Sequence, residues 1–414
     1  MNRIFLSCFL LLISYAVFSQ KNIYINSASA KNITSKTGYL NIEPGNTYLL
    51  KCGDTFYFRI PHINNPDKAN TVISSFGNGP KPVISLYKKI NNSSWMDMGN
   101  NIWRVDIKDT TNYSGFCDNT DTNVGFLKID NSIKGDKKST ISEMKKQWDF
   151  YSDKRYLYVF ATENPADITS SFLITCNYYI VLLSDYLDIS NIELLGTGGH
   201  AVDGTCSNVH LNNIDIREIG GSYLPGYGNG VTRFGNGIQF WKSSKNCIIE
   251  NCKVMQVYDV AYTMQGNGVN EYFDNIIFKN NIADSNEQSF EIWIRGGHSG
   301  FIGCKFINNK CYNAGYGWSH DVRPIKNVGV HVLNYEWEVD NSDLTIENNI
   351  FTNAISGIYY IKTFNTKNFN PQGYFKSDKN KIYLGASTPI LSGYTLQKEE
   401  FTRLSGLDEN SSFF

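Results

Sequence analysis

Acidic, aromatic and basic side chains alternate with isoleucine in the segment 291–295. Glu291, Trp293 and Arg295 occupy every second position there. Because alternate residues of a β-strand lie on one face, a strand in this segment would present all three side chains together and bury the isoleucines. A carboxyl group beside an aromatic plate and a guanidinium could bind a polar ring and transfer a proton to it.

A second alternating set follows in the segment 318–323, where Asp321 and Arg323 are two positions apart. If both segments were neighbouring parallel strands, Asp321 would lie roughly 8 Å from Glu291 along the diagonal of the ladder. That separation suits the two carboxyl groups of an inverting glycosidase, about 6.5–9.5 Å apart. Arg295 and Arg323 would stack, and like charges in that position need carboxylates or an anionic ligand to neutralise them.

An asparagine-marked repeat would position these strands. A short apolar or β-branched strand precedes most of the markers, which we place at Asn212, Asn251, Asn280, Asn308 and Asn348. The intervals from 251 to 280 and from 280 to 308 are short, whereas the other two carry roughly a dozen additional residues. One coil cannot bury its own apolar row, so coils must stack about 4.8 Å apart and pair strand upon strand. Asparagine suits the bends because it tolerates left-handed backbone.

The cysteines fit this frame. Cys247 and Cys304 fall four positions before a marker, as do Ile276 and Leu344. The two cysteines would therefore share an interior column two coils apart, roughly 10 Å, which is too far for a disulfide. We expect them to be small buried apolar groups. The chain has no C-x-x-C pair, so we expect no metal binding by cysteine.

This repeat resembles that of the pectate-lyase-like right-handed parallel β-helix superfamily. The resemblance covers about residues 170–365, and the segment 41–50, with its Ile-Glu-Pro-Gly-Asn-Thr run, is similar to the opening turn of such helices. It implies an all-β solenoid and an exported carbohydrate-active protein. The superfamily contains polysaccharide lyases, glycoside hydrolases, epimerases, esterases and phage tailspikes, so the resemblance indicates a substrate class more strongly than a reaction.

The chain is expected to have five parts. These are a signal peptide at 1–19, N-terminal coils at 20–89, a β insertion at 90–166, the main solenoid at 167–365 and a C-terminal cap at 366–414. Arg3, the apolar run 4–17 and a cleavage position after Ser19 predict export to the periplasm or the medium.

Charge and hydropathy exclude several partners. The chain has 38 basic and 39 acidic residues, so no overall field favours nucleic acid or an acidic membrane surface. No later segment has the eighteen unbroken apolar residues of a membrane span. We therefore expect a monomer whose partner is a polysaccharide or an oligosaccharide.

The candidate residues support two reactions. In the first, Glu291 and Asp321 are the acid–base pair of a glycoside hydrolase that acts on an anionic glycan gripped by Arg295 and Arg323. The alternative is a polysaccharide lyase, in which the arginines neutralise a uronate and a base abstracts a proton. Candidate bases are Tyr262, His320 and His331. Other candidate substrate-binding residues are Trp293, Trp241, Gln239, Asp259 and His331.

A third interpretation is a glycan-binding or adhesin-like protein without catalysis. No rung carries the cluster of carboxylates that would demand a metal, so no cofactor is expected, although a lyase could use Ca²⁺.

Overall fold

Three long parallel β-sheets make up most of the molecule in the computed structural model, which describes residues 20–107, 123–364, 375–385 and 388–414. The predicted signal peptide, residues 1–19, lies outside the described residues, as does part of the predicted cap, residues 366–374. No helix in the described ranges is long and apolar enough to cross a membrane.

Seven central coils contribute one strand to each sheet in turn, and the coils at either end contribute no described strand to sheet 3. Sheet 1 has ten strands: Asn22–Ile25, Thr47–Lys51, Thr71–Phe76, Leu187–Ser190, Ser207–Asn212, Lys245–Glu250, Tyr272–Lys279, Gly300–Ile307, Asn341–Glu347 and Lys376–Asp378. Sheet 2 has ten: Thr55–Phe56, Val83–Ser85, Glu193–Thr197, Asp215–Ile219, Lys253–Val257, Ile282–Asp284, Lys310–Ala314, Ile350–Ala354, Lys381–Tyr383 and Ser412–Phe413. Sheet 3 has seven: Val181–Leu182, Val202–Gly204, Ile238–Trp241, Val260–Gly266, Gln288–Ile294, Val330–Trp337 and Gly357–Ile361.

Two antiparallel sheets of four strands interrupt the solenoid. The first combines strands of the β insertion with one flanking strand on either side of it, and the second lies wholly within the insertion. The first contains Lys88–Lys89, Leu127–Ile129, Ser132–Lys134 and Phe172–Ile174, and the second contains Met96–Asp97, Ile102–Asp106, Phe150–Ser152 and Tyr156–Phe160. A separate hairpin joins Ser222–Tyr223 to Arg233–Phe234. The helices are Ser27–Ala30, Pro165–Ile168, Trp318–Val322 and Lys398–Ser405, with single 3₁₀ turns at Asn92–Ser94, Ile141–Glu143 and Gly228–Gly230.

The fold class predicted from the repeat, a parallel β-helix, is confirmed. Alternate residues of each strand point into the solenoid, and Ile276, Phe278, Phe290 and Ile292 of one coil are fully buried. Successive coils pair in parallel, so each apolar side chain stacks on its counterpart in the next coil. The core is therefore one continuous apolar column rather than a set of separate cores.

The asparagine markers behave as predicted at four of five positions. Asn251, Asn280, Asn308 and Asn348 all have left-handed backbone, with φ between 55° and 58°. The marker placed at Asn212 is one residue too early. Asn212 pairs with Glu250, and the residue with left-handed backbone is Asn213.

The residue after a marker forms a buried ladder that the sequence did not reveal. The backbone N–H of Asn281 donates to the side-chain oxygen of Asn309, and the same 2.9 Å bond links Asn309 to Asn349 and Asn349 to Asn380. Each coil is thereby tied to the next at the same corner, which fixes the stacking register.

The cysteine column is also present. Cys247 pairs with Ile276 and Cys304 with Leu344, and both sulfur atoms are buried. All seven cysteines of the described ranges are unbridged.

Sheet 3 departs from the predicted register in two coils. Tyr262 pairs with Phe290, so Thr263 rather than Tyr262 lies beside Glu291. The cause is a corner that is one residue longer, since seven residue steps separate Lys253 from Val260 and six separate the equivalent Ile282 from Gln288. A shift of one residue moves every side chain of a strand to the opposite face.

The second departure concerns the long insertion before the strand Val330–Trp337. The sequence predicted a strand at 318–323 with the long loop after it. In the structure the loop comes first, at residues 315–329, and contains the helix Trp318–Val322. Glu291 therefore pairs with Leu333, not with a residue of 319–323. The predicted strand carrying Asp321 and Arg323 is wrong.

Candidate active site

A cleft of about 470 Å³ lies on the outward face of sheet 3. One wall is the hairpin Ser222–Tyr223 and Arg233–Phe234 with the loop between its strands. The lining residues are Tyr179, His200, Asp203, Leu224, Pro225, Gly226, Tyr227, Thr232, Arg233, Phe234, Asn236, Gln239, Trp241, Asp259, Gln265, Asn267, Glu291, Trp293 and Tyr335.

Two outward columns of side chains form the floor of the cleft. Parallel pairing aligns the residues of four successive coils, and alternate residues of each strand face outward. The first column is Asp203, Gln239, Thr263 and Glu291. The second column, two positions further along each strand, is Trp241, Gln265 and Trp293. The floor therefore has a polar, acid-bearing row beside an aromatic row.

Glu291 lies in the first column with little contact with solvent. Its carboxyl group accepts hydrogen bonds from the side-chain amide of Gln265 and, at 3.4 Å, from the hydroxyl of Thr263. Burial and then the negative charge of Asp259 raise its pKa to about 8, and the two hydrogen bonds and Arg323 oppose that rise. Glu291 thus holds a proton at neutral pH and can donate it.

Asp259 is a second carboxyl group of the cleft and interacts electrostatically with Glu291. It occupies the corner that is one residue longer, just before the strand Val260–Gly266. Arg323 donates from Nη2 to Asp259 Oδ1 at 2.7 Å and to the carbonyl oxygen of Tyr258 at 2.9 Å. The ion pair holds the Asp259 side chain at this corner of the cleft.

A buried charge network stands behind this ion pair. Glu287 is fully buried, and its carboxyl group lies 3.1 Å from His320 Nδ1 and 3.9 Å from Arg323 Nε. The hydroxyl of Ser319 is 3.4 Å from the other carboxyl oxygen. Burial raises the pKa of Glu287, and Arg323 and His320 oppose that rise. The helix Trp318–Val322 therefore anchors Arg323, and Arg323 positions Asp259.

Asp203 is the third acid of the cleft and belongs to a chain of hydrogen bonds. The backbone N–H of Asn236 donates to His200 Nδ1 at 2.8 Å, and the Asn236 side chain donates to Gln239. Gln239 in turn donates to Asp203 Oδ1 at 2.9 Å. Burial raises the pKa of Asp203 to about 6, although the hydrogen bond from Gln239 opposes this.

His200 is neutral and is the acceptor at one end of this chain of hydrogen bonds. Burial lowers its pKa to about 3, and its Nδ1 is already an acceptor, so the ring proton must be on Nε2. The ring lies between Tyr179 and Phe234, with centroids 5.0 and 4.9 Å away.

The aromatic row consists of Trp241 and Trp293. Their ring centroids are 5.7 Å apart and their planes differ by 31°. Two half-buried indoles in this arrangement offer a continuous apolar platform next to the acid of Glu291.

The structure brings together five of the residues proposed from the sequence. Glu291, Trp293, Trp241, Gln239 and Asp259 all line the cleft. Arg323 and His320 lie behind it, because the loop that carries them packs against the corner before sheet 3.

Four other proposed residues are elsewhere. Tyr262 points into the solenoid, where its hydroxyl donates to the carbonyl oxygens of Cys252 and Ile282, because of the one-residue shift. His331 is also buried, stacked on Phe351, with its Nδ1 3.0 Å from the hydroxyl of Ser289. Its pKa is lowered to about 3 by burial. Tyr262 was predicted to share the outward face with Glu291, and that prediction is wrong. His331 was predicted to be a base or a substrate-binding residue, and its burial takes it out of the cleft.

Asp321 and Arg295 also differ from their predicted positions. Asp321 is exposed on the helix Trp318–Val322 and does not line the cleft. Arg295 is exposed beyond the end of its strand, and its predicted stacking on Arg323 does not occur, since Arg323 contacts Asp259 and Tyr258.

Sequence reasoning missed Gln265, Glu287 and Arg233. Gln265 shares a column with Trp293, so the correct register would have revealed it. Glu287 and Arg233 meet partners distant in the chain, and no local pattern marks them. Within the described ranges, no three side chains of His, Cys, Asp or Glu are grouped so as to hold a metal ion.

Comparisons with known proteins gave structural neighbours only. No family model matches the chain, and no curated protein does. An alginate lyase from Paenibacillus sp. is 12% identical, with 90% of each chain covered and a TM-score of 0.44. A GH136 lacto-N-biosidase from Eubacterium ramulus is 12% identical over 95% of this chain and 68% of that one, with a TM-score of 0.39.

A third neighbour is a family 6 polysaccharide lyase, specific for mannuronic acid, from human gut microbiota. It is 11% identical over 95% of this chain and 79% of that one, with a TM-score of 0.32. Because all three TM-scores are low, the assignment of the fold rests on the parallel strand pairing of this chain itself.

Proposed function

We propose that this chain is an exported enzyme that cleaves a glycan by hydrolysis, with Glu291 as general acid and Asp259 as the second carboxyl group of the pair. One observation carries the proposal. Two carboxyl groups that interact electrostatically line one cleft, and their partners differ: Glu291 is buried beside amide and hydroxyl groups, whereas Asp259 is paired with Arg323. Such a pair supplies the acid and the base, or the acid and the nucleophile, of a glycosidase.

Glu291 suits the role of acid because its pKa of about 8 keeps it protonated at neutral pH. Protonation of the leaving-group oxygen is the step that needs such a group. Asp259 suits the second role because it lines the same cleft and Arg323, 2.7 Å away, fixes the position of its side chain. It would activate a water molecule or attack the sugar directly.

The aromatic row suits the substrate class. Sugar rings have apolar faces that stack on aromatic side chains, and Trp293 lies two positions from Glu291 on the same face of the strand. A sugar stacked there would place its glycosidic oxygen within reach of the acid.

The lyase alternative needs a base in the cleft. Tyr262 and His331 lie in the core, and His320 is paired with Glu287. His200 lines the cleft but presents a protonated Nε2, which makes it a donor. None of the three bases proposed from the sequence lines the cleft. Tyr179, Tyr227 and Tyr335 do line it, so the preference for hydrolysis rests on the pair of carboxyl groups and not on the lack of a base.

The nature of the products tests the proposal. The chain is incubated with a panel of neutral and acidic polysaccharides, and new reducing ends are measured together with ultraviolet absorbance from unsaturated sugars. We expect reducing ends without unsaturated products, and loss of cleavage in Glu291→Gln and Asp259→Asn.

Glu347→Gln is the matched control, since Glu347 is a carboxylate on sheet 1 that lies 3.7 Å from Lys379. Unsaturated products would show a lyase instead. Undiminished cleavage by Glu291→Gln would refute the assignment of the acid.

A further inference from the structure

The charges that face the cleft are mainly acidic. Asp203, Asp259 and Glu291 line it, and Arg233 is the one cation among the described lining residues. His200 is neutral, as its accepting Nδ1 requires. Whether the cleft can bind an anionic ligand therefore depends on whether the arginines next to it are free to pair with that ligand.

Arg233 is committed to the protein. Its Nε donates to the carbonyl oxygen of Gly221 at 2.8 Å, its Nη2 donates to that of Gly125 at 3.0 Å, and its Nη1 lies 3.4 Å from Asp136. The guanidinium also lies over the ring of Tyr258, and only 6% of the side chain is exposed. Arg233 thus fastens the hairpin to the β insertion rather than presenting its charge to a ligand.

The hairpin is closely packed around this guanidinium. Gly221 has φ of 91°, and a Cβ at that position would meet Arg233 Nη2 and the ring of Trp318, each at 2.9 Å. The Arg233 guanidinium is therefore in close contact with the hairpin backbone and lies near the Trp318 ring.

Arg323 is committed in the same way. It donates to Asp259 and to the carbonyl oxygen of Tyr258, and it approaches the buried Glu287. Only 12% of its side chain is exposed. Both arginines next to the cleft thus have their charge balanced by carboxylates of the protein.

We propose that the ligand of this cleft is a glycan without acidic groups, and that uronic-acid and sulfated glycans are excluded. This inference rests on the proposed function and names its substrate class. It reverses the expectation of an anionic glycan, which depended on stacked Arg295 and Arg323.

The physical reason is the cost of an unpaired anion. A uronate or sulfate in the cleft would lose hydration without gaining a free cation from the described lining residues, and it would be repelled by Asp203, since the charge of Asp259 is already balanced by Arg323. A neutral sugar is compensated for the hydration that it loses, because its hydroxyl groups can form hydrogen bonds with Asp203 and His200. Its ring faces can stack on Trp241 and Trp293.

Binding to an inactive variant tests this inference separately from catalysis. Full-length Glu291→Gln is titrated by calorimetry, above pH 7, with neutral glucans, xylans, mannans and galactans and with polygalacturonate, alginate and sulfated galactans. We expect binding to at least one neutral glycan that is insensitive to ionic strength, and at least about tenfold weaker binding to every acidic glycan. Equal or tighter binding to an acidic glycan overturns the inference.

A matched pair of aspartates tests the cause. Asp203→Asn, combined with Glu291→Gln, should reduce the difference in affinity between neutral and acidic glycans. Asp188→Asn in the same coil is the control, since Asp188 lies on sheet 1 and accepts from Asn70. A difference in affinity that Asp203→Asn leaves unchanged contradicts repulsion by the acidic cleft as the cause.

The two proposals can fail independently. Cleavage of an acidic glycan that Glu291→Gln abolishes would keep the hydrolase and reject the substrate class. Binding of a neutral glycan that the unmodified chain never cleaves would keep the substrate class and reject the hydrolase. If no glycan on the panel binds, both proposals fall.

Discussion

Two glutamates on the same solenoid have opposite surroundings. Glu250 lies on the outward face of sheet 1, where His210 Nε2 is 2.7 Å and Lys279 Nζ 3.1 Å from its carboxyl oxygens. Burial works against its charge, but these two partners hold its pKa below the usual range. Glu291 lies on the outward face of sheet 3 beside amide and hydroxyl groups and near Asp259, and its pKa is raised to about 8.

The comparison separates a structural carboxylate from a candidate catalytic one. Both side chains sit on parallel strands and face outward, so strand geometry does not distinguish them. What differs is the residue that pairs with each glutamate on the next coil. Glu250 pairs with a cation, Lys279, whereas Glu291 pairs with an uncharged residue, Leu333. A charge balanced by its neighbouring coil stabilises the ladder, whereas an acid left unbalanced is available for chemistry.

The largest expected effect is on catalysis. Glu291→Gln should lower kcat roughly a thousandfold, because the general acid is lost while the shape of the side chain is kept. Glu250→Gln should leave kcat unchanged, and rate measurements on the substrate found by the panel check both. Equal losses in the two variants would show that the difference between the two faces has no bearing on activity.

The ion pair behind the cleft gives the next effect. Arg323→Met leaves the buried Glu287 and Asp259 without their cation, and we expect it to lower the free energy of unfolding by about 3 kcal/mol. Because Arg323 lowers the pKa of Glu291, its removal should also move the alkaline limb of the pH–rate profile to higher pH.

Chemical denaturation and the pH–rate profile measure the two consequences of Arg323→Met. Arg323→Lys should restore part of both. A variant that is destabilised but has an unmoved alkaline limb would reduce Arg323 to a purely structural residue.

Loss of the aromatic platform should weaken substrate binding. Trp293→Ala should raise KM about tenfold with a smaller change in kcat, since the indole contacts the sugar rather than the reacting bond. Tyr383→Ala is the control, because Tyr383 stacks on Phe414 at 4.7 Å at the C-terminal end of sheet 2. Initial-rate kinetics on both variants would contradict the platform if KM were unchanged.

The two glutamates should also affect stability with opposite dependence on pH. The pKa of Glu291 is raised on folding, so its contribution to stability is present at low pH and is lost as the pH rises toward 8. Relative to the unmodified chain, Glu291→Gln should therefore gain in Tm from pH 5 to pH 9. The pKa of Glu250 is lowered, so Glu250→Gln should cost stability at pH 7 and cost less as the medium becomes acidic.

Thermal unfolding across this pH range measures both trends. The same pH dependence for the two variants would mean that their surroundings do not differ as described.

The smallest expected effect concerns Asp321. It is exposed on the helix Trp318–Val322, so Asp321→Asn should change neither kcat nor KM. A large loss of activity in this variant would instead support the register predicted from the sequence, in which Asp321 lies on a strand next to that of Glu291.

The repeat made the fold predictable and the site only partly so. The asparagine markers predicted where the coils lie in the sequence, and the alternation of Glu291, Trp293 and Arg295 predicted which face of one strand points outward. The spacing of markers cannot tell which corner of a coil holds additional residues, and that error displaced Tyr262, Asp321 and Arg323.

The hydrogen-bond partners were beyond reach for another reason. Arg323 meets Asp259 across 64 residues of chain, and Gln239 meets Asp203 across 36. Such pairs depend on where loops pack, which a local pattern does not record.

The longer corner at Asp259 shows how a solenoid tolerates an insertion. The additional residue shifts the frame of its own coil from Val260 onward, yet the next coil begins again in frame at Asn280, where the ladder Asn281–Asn309–Asn349–Asn380 sets the register. A single-codon insertion at a corner could therefore exchange the whole outward face of one strand without disturbing the others. In such a fold, new active-site chemistry is accessible through changes of length as well as through substitutions.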